Sequence, residues 1–133
     1  MLDTNVLVSA VLTAHGTCAR IVDMVADGAF DLYADDRILA EYDSVLHRSE
    51  LRITPEDAGV ILDLIRSITD PVASTPLPVQ LPDPDDAAFL DVAAASGSIL
   101  VTGNTHHFPI NSRAGVSVMT PAEFLELLRG SRS

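Results

Sequence analysis

The sequence contains no lysine, no tryptophan and a single cysteine, Cys18. Without lysine the chain cannot form a Walker-type phosphate loop or a Schiff base, so both classes of mechanism are excluded. A lone cysteine excludes an internal disulfide and a cysteine-built zinc site. No apolar run reaches the roughly 18 residues that span a bilayer, and the N-terminus lacks the features of a secretory signal. These absences predict a soluble, cytoplasmic protein with no membrane association.

Basic residues are also scarce. Eight arginines face nineteen acidic residues, and the formal net charge is −11. A protein that binds nucleic acid through charge alone carries a basic patch, and by count this chain has none. Solubility alone explains many of the carboxylates. The excess of acidic residues therefore identifies no function unless their positions in the sequence also form a pattern.

The length of 133 residues and the hydrophobic content of 47% predict one domain with its own core. We expect residues 1–129 to form that domain and residues 130–133 to be a flexible C-terminal tail. Helix and strand signals alternate along the chain, which predicts an α/β fold with a mainly parallel sheet.

The elements are predicted from periodicity, capping residues and breakers. We expect strands at 1–3, 30–34, 98–102 and 116–119, and one more within the proline-rich segment 70–84. We expect helices from Thr17 to Gly28, at 36–47, from Thr54, from Asp83 to Gly97 and from Thr120. Thr17 and Thr54 are predicted N-caps, Thr120 begins a predicted capping box, and Asp83 is interpreted as a plain N-cap ahead of a proline. The stretch 6–12 is simply apolar.

Four polar residues fall where a parallel sheet binds its ligands, beyond the carboxyl ends of the strands. Asp3 ends the first predicted strand, and Asn104 follows the strand at 98–102. Asp86 lies in the first turn of the helix that leads to that strand. Glu41 shares a helical face with core residues, where a carboxylate must be paired, bound to a metal, or costly to bury.

Converging carboxylates cannot all ionise unless a positive charge lies among them. Their hard oxygen atoms suit Mg²⁺ or Mn²⁺. Such ions act on phosphodiesters by activating water and by stabilising developing negative charge. The sequence thus suggests phosphodiester chemistry in which a metal, rather than lysine, meets the phosphate.

Each of these residues also has a structural interpretation. Asp3 could cap the helix that follows it, and Glu41 could pair with Arg37 one turn earlier. Asp86 could belong to the capping set at the start of its helix, and Asn104 in isolation is most often a turn residue. Only the four residues taken together favour a functional site.

Three blocks resemble the PIN-domain family, particularly the toxin components of bacterial toxin–antitoxin pairs (VapC-like). The stretch Leu2-Asp3-Thr4-Asn5-Val6-Leu7-Val8-Ser9-Ala10 is similar to the opening of these domains. The segment from Asp86-Ala87-Ala88-Phe89-Leu90 to Val101-Thr102-Gly103-Asn104 resembles their second block, and Glu41 takes the place of their middle acid. The blocks occur in the right order over nearly the whole chain.

The resemblance implies a three-layer sandwich and a ribonuclease site. It implies that Asp3, Glu41 and Asp86 bind Mg²⁺ or Mn²⁺ and, with Asn104, form the catalytic set. It further suggests that Asn5 orients Asp3, and that Thr102 and Asn104 border the site. The expected partners are an RNA substrate, a cognate antitoxin protein and a second copy in a homodimer.

Two features depart from the family pattern. Only Met1 and Leu2 precede Asp3, so either the central strand is short or the chain begins upstream. If the first strand is central, two residues before Asp3 give it few ladder hydrogen bonds, and we expect three or four apolar residues added upstream to raise the thermal stability. Asn104 replaces the fourth acid of many relatives, and it can coordinate a metal but brings no charge.

Two other function classes compete with the ribonuclease. A catalytically weak PIN-like module that binds RNA or protein is favoured by Asn104 and the net charge, and opposed by the other three acids. A phosphotransfer domain is also α/β with clustered aspartates. It would use a lysine beside the phosphate, so the absence of lysine opposes it.

Overall fold

The computed structural model of the chain describes residues 1–130. Within them lie six α-helices: α1 (Thr4–Leu12), α2 (Thr17–Ala26), α3 (Asp36–Leu46), α4 (Pro55–Ile68), α5 (Ala87–Ser96) and α6 (Pro121–Gly130). The strands are β1 (Leu32–Ala34), β2 (Thr69–Pro71), β3 (Leu100–Val101) and β4 (Val118–Met119). Single 3₁₀ turns lie at Ser49–Leu51, Pro84–Asp86, Thr105–His107 and Ile110–Ser112.

The strands are short and pair in parallel, β1 with β2 and β3 with β4. The predicted strand at 1–3 is reduced to one parallel bridge between Leu2 and Val101. The amide of Asp3 donates to the Val101 carbonyl at 2.9 Å, and the amide of Val101 donates to the Met1 carbonyl at 3.0 Å. Helices alternating with parallel strands agree with the predicted α/β class, whereas the three-layer arrangement stays a prediction.

Capping chemistry sets most of the helix starts. Thr54 accepts a hydrogen bond from the amide three residues later, and Thr120 and Glu123 bond each other's amides at 3.1 and 3.0 Å, so both predicted starts are confirmed. The predicted cap at Thr17 is wrong. Gly16 holds the cap position in an extended conformation and Thr17 is the first helical residue. The apolar stretch 6–12 also turns out to lie in a helix, α1.

The two helices that carry predicted site residues are fixed through the core. Ile38, Tyr42 and Leu46 of α3 are buried, and the Tyr42 hydroxyl donates to the carbonyl of Leu2. Helix α5 is buried along most of its length and ends at Gly97, whose φ of 65° suits glycine. Helix α3 is therefore held against the segment that carries Asp3, and α5 is held in the core.

Helix α6 extends to Gly130, the first residue of the predicted tail, and the tail's other residues, 131–133, lie outside the described part of the chain. In residues 1–130 no single helix is long and apolar enough to cross a membrane. Only α1 and α2 taken together, across a bend of 103°, satisfy that criterion.

Candidate active site

The three predicted metal ligands line one open cavity of about 380 Å³. Asp3 reaches it from the bridged N-terminal segment, and Glu41 from the middle of α3. Asp86 reaches it from the 3₁₀ turn that precedes α5. Three segments that are distant in sequence thus bring their carboxylates to the same place.

Asp3 is buried and held by its neighbours. One carboxylate oxygen, Oδ2, accepts a hydrogen bond from the Thr102 hydroxyl at 2.7 Å and lies 3.5 Å from the Asn5 amide nitrogen. Asn5 in turn accepts from the Gly103 amide at 3.1 Å. Asp3 stands at the cap position of α1 but makes no side-chain capping bond. Burial raises its pKa, and the Thr102 hydrogen bond acts against that rise.

Glu41 accepts a hydrogen bond from the Thr4 hydroxyl at 3.0 Å. The alternative pairing with Arg37 is wrong, because the Arg37 guanidinium lies 2.7 Å from the carboxylate of Asp35. Burial raises the pKa of Glu41, and the negative charge of Asp3 adds to the rise. Glu41 is therefore available to the cavity.

Asp86 is the carboxylate with an unsatisfied oxygen. Its Oδ2 is buried and has no hydrogen-bond partner in the described residues. Nδ1 of His107 lies 3.5 Å away, outside hydrogen-bond geometry. Burial raises the pKa of Asp86 to about 6, and the charges of Asp3 and Asp83 add to this. Asp86 does not cap α5 with its side chain, whereas Asp83 is the predicted plain cap and accepts from the Asp85 amide.

Asn104 lies at the border of the site and is not among the described residues that line the cavity. Its amide donates to the Thr102 hydroxyl at 3.1 Å, and its carbonyl accepts from the His107 amide at 3.0 Å. Its side chain caps nothing. Asn104 therefore supports the residues that contact Asp3 and Asp86, and its catalytic role stays a prediction.

The contacts of Thr4 with Glu41 and of His107 with Asp86 were not predicted from the sequence. Thr4 lies within the family-like opening block, so the block itself was the available signal. His107 approaches Asp86 from an irregular segment whose path no periodicity indicates. Asp91, buried on α5, was also missed, although its position among the apolar residues of that helix marked it as inward-facing.

The donors around the cavity fit a hard divalent cation in their chemistry. They are carboxylate oxygens, and a cation beside Oδ2 of Asp86 would neutralise a buried charge that accepts no hydrogen bond within the described residues. Within residues 1–130, no three acidic, histidine or cysteine side chains lie close enough to hold one ion as they stand. A shared ligand set therefore needs the side chains to draw together.

A family model described as "PIN domain" matches residues 1–106 of the chain. No curated protein and no solved structure gives a match. PIN domains are α/β domains and are generally metal-dependent nucleases. The match covers 106 of the 133 residues and includes all four predicted site residues. The chain belongs to the PIN-domain family.

Proposed function

We propose that the protein is an endoribonuclease that hydrolyses RNA phosphodiester bonds with Mg²⁺ or Mn²⁺ held by Asp3, Glu41 and Asp86. The observation that carries this proposal is the buried Oδ2 of Asp86, which accepts no hydrogen bond within the described residues and lies 3.5 Å from Nδ1 of His107, in a cavity shared with the other two acids. A carboxylate in that state is costly unless a positive charge meets it.

The surrounding residues have distinct parts in this proposal. Thr102 and Asn5 fix the position of Asp3, and Thr4 fixes Glu41, so two of the three ligands are oriented before any ion binds. A bound divalent ion supplies Lewis-acid activation of water and neutralises charge at the phosphodiester. Oδ2 of Asp86 accepts no hydrogen bond within the described residues, so it would be able to bind the ion.

The proposal also accounts for the acidity of the chain. The cavity is lined by six acidic residues, namely Asp3, Glu41, Glu50, Asp83, Asp85 and Asp86. Together they repel a phosphate, so RNA can approach only after cations have reduced the local charge. Binding of metal and of RNA should therefore be coupled.

Incubation of the purified protein with a labelled structured RNA tests the proposal. We expect cleavage in Mn²⁺, none in EDTA, and none by the Asp86→Asn variant in Mn²⁺. Cleavage that continues undiminished in EDTA would refute the metal mechanism. RNA that is bound but left intact by the parent chain in Mn²⁺ would favour the alternative function, a PIN-like binding module.

A role as the toxin of a toxin–antitoxin pair is the finer part of the proposal, supported by the family-like block at residues 2–10. Induced expression in bacteria should arrest growth for the parent chain and not for Asp86→Asn. Equal growth of the two strains, at equal protein levels, would count against the toxin role and against the need for an antitoxin.

We propose homodimerisation through α4, whose Val60 is 70% exposed while Ala58, Leu62 and Ile65 face the core. A single exposed apolar side chain is common on monomers, so the proposal rests mainly on the resemblance to VapC-like proteins, and Val60 is the residue that tests it. Light scattering should give about twice the 14.1 kDa chain mass, and Val60→Asp should reduce it to the monomer value. A monomeric parent chain at micromolar concentration would contradict this proposal.

A further inference from the structure

One basic residue, Arg48, is present among the described residues that line the acidic cavity. It begins the 3₁₀ turn Ser49–Leu51, which follows α3 and also lines the cavity through Glu50 and Leu51. Arg48 is exposed. The positive charge of Arg48 therefore lies on the side of the cavity where α3 ends, among acids of the opposite charge.

The guanidinium of Arg48 makes no hydrogen bond and no ion pair with any residue from 1 to 130. Its electrostatic partner is Glu41. Burial raises the pKa of that carboxyl, and Arg48 acts in the opposite direction. The five donor groups of the guanidinium are therefore free to bind another molecule.

Other arginines of the chain are held by acids. Arg37 lies 2.7 Å from Asp35, and Arg66 lies 3.1 Å from Asp43. With nineteen acidic residues and eight basic ones, an arginine finds a carboxylate easily. Unlike Arg37 and Arg66, Arg48 lines a cavity with six acids and bonds none of them, and this location connects it with the site.

We propose that Arg48 binds a phosphate of the RNA strand next to the bond that is cut, which rests on the proposed ribonuclease activity. The planar guanidinium matches two phosphate oxygens at once, a geometry that lysine cannot reproduce. A metal ion bound by the carboxylates would neutralise the scissile phosphate, whereas the neighbouring phosphates would still be repelled by the six acids that line the cavity. The positive charge of Arg48 would attract one of these neighbours and so favour one register of the strand across the site.

Steady-state cleavage of a fluorescent single-stranded RNA in Mn²⁺, measured at several salt concentrations, tests this inference. Four proteins are compared: the parent chain, Arg48→Gln, Arg48→Lys and Arg20→Gln. Arg20 is the matched control because it is exposed, has no ion pair within residues 1–130 and lies beside a different cavity. Arg48→Gln and Arg20→Gln change the net charge equally.

We expect Arg48→Gln to raise KM about tenfold, with kcat within about twofold, since one charge-assisted contact is lost. The plot of log(kcat/KM) against log salt should become shallower by about 0.7, the value for one phosphate contact on a single strand. Arg48→Lys should keep the salt slope while raising KM by a smaller factor. Arg20→Gln should match the parent.

Three outcomes would overturn the assignment. Equal effects in Arg48→Gln and Arg20→Gln would show a general charge effect. A fall in kcat at unchanged KM would show that Arg48 acts through Glu41 instead of the substrate. If the parent chain cleaves no RNA, the ribonuclease proposal fails by itself, and fluorescence anisotropy with the same RNA decides the role of Arg48. Affinity about tenfold weaker in Arg48→Gln would support phosphate binding, and equal affinity would refute it.

Discussion

Asp86 and Asp91 lie five residues apart, on either side of the start of α5, and their carboxylates differ in burial and in hydrogen bonding. Asp91 is 4% exposed, yet its Oδ1 accepts the Leu77 amide at 3.0 Å and its Oδ2 lies 3.9 Å from the Arg37 guanidinium. Asp86 is less buried; its Oδ2 lies 3.5 Å from Nδ1 of His107 but accepts no hydrogen bond within the described residues. The more buried acid is therefore the one whose carboxylate accepts a hydrogen bond from a backbone amide.

The comparison shows that burial alone does not mark a site. Asp91 joins α5 to the loop at Leu77 and to α3 through Arg37, which is a structural task. Asp86 lines a cavity with other acids, and its Oδ2 accepts no hydrogen bond within the described residues. An unsatisfied carboxylate costs stability, and proteins keep such groups where a ligand satisfies them.

The largest expected difference between the two acids is in RNA cleavage. Asp86→Asn should reduce kcat/KM by more than about a hundredfold, since metal-ion stabilisation of several kcal/mol is lost. Asp91→Asn should stay within about threefold of the parent, because the amide oxygen can still accept the Leu77 amide. Measured rates in Mn²⁺ that fall equally in both variants would remove the distinction.

The free energy of unfolding should change in the reverse order, more for a substitution at Asp91 than for one at Asp86. Asp91→Ala leaves the Leu77 amide without its acceptor and removes the 3.9 Å contact with Arg37, which keeps its ion pair with Asp35. We expect a loss of about 2 kcal/mol in the free energy of unfolding, mainly from the unsatisfied amide. Asp86→Asn should leave this free energy unchanged or slightly higher, because repulsion among the acids is relieved. Urea denaturation of both variants without metal provides the measurement, and a larger loss in Asp86→Asn would contradict the account.

The pH dependence of stability should isolate Asp86. Burial raises its pKa in the folded protein to about 6, against 3.8 for the free side chain. Through Asp86 the folded state thus binds more protons than the unfolded state between those values, and the contribution of this carboxyl to stability falls as pH rises from about 4 to about 6. The raised pKa values of Asp3 and Glu41 act in the same direction. Burial lowers the pKa of the Met1 amino group to about 5, which acts in the opposite direction above that pH and does so equally in the Asp86 variant.

The control for this pH effect is Asp86→Asn, which lacks the titrating group. Its stability should fall less steeply than that of the parent over the same range, when both are measured in EDTA. Mn²⁺ should flatten the parent's curve, since a cation favours the ionised carboxylate. Parallel curves for the two proteins would show that Asp86 is not the group responsible.

Asn104→Asp should have the smallest effect. Asn104 is not among the described residues that line the cavity, so an added charge would act on a metal only from a distance. We expect a gain in cleavage below about threefold at limiting Mn²⁺, with the metal titration shifted to slightly lower concentration. A clear loss of activity would mean that Asn104 acts as a donor or a neutral ligand.

Local chemistry made much of the fold predictable. The caps at Thr54 and Thr120 and the stop at Gly97 depend on residues within one helical turn, so their sequence signals were sufficient. The strands proved shorter than predicted, because apolar runs do not show how many backbone groups find a partner. The predicted strand at 98–102, for example, is only Leu100–Val101.

The candidate site was predictable as a set of acids but not in its contacts. Asp3, Glu41 and Asp86 follow from the family-like blocks and line one cavity. The contact of His107 with Asp86 depends on the path of an irregular segment, and no local pattern gives such a path. The position of Arg48 beside the cavity depends likewise on how the chain turns after α3.

Binding of Mn²⁺, followed by electron paramagnetic resonance of the free ion, tests the central claim most directly. It requires no RNA and compares the parent chain with Asp86→Asn and Asp91→Asn. The account predicts saturable binding in the parent and in Asp91→Asn, and affinity weakened by at least about tenfold in Asp86→Asn. Equal binding by all three proteins, or no saturable binding by the folded parent, would contradict it.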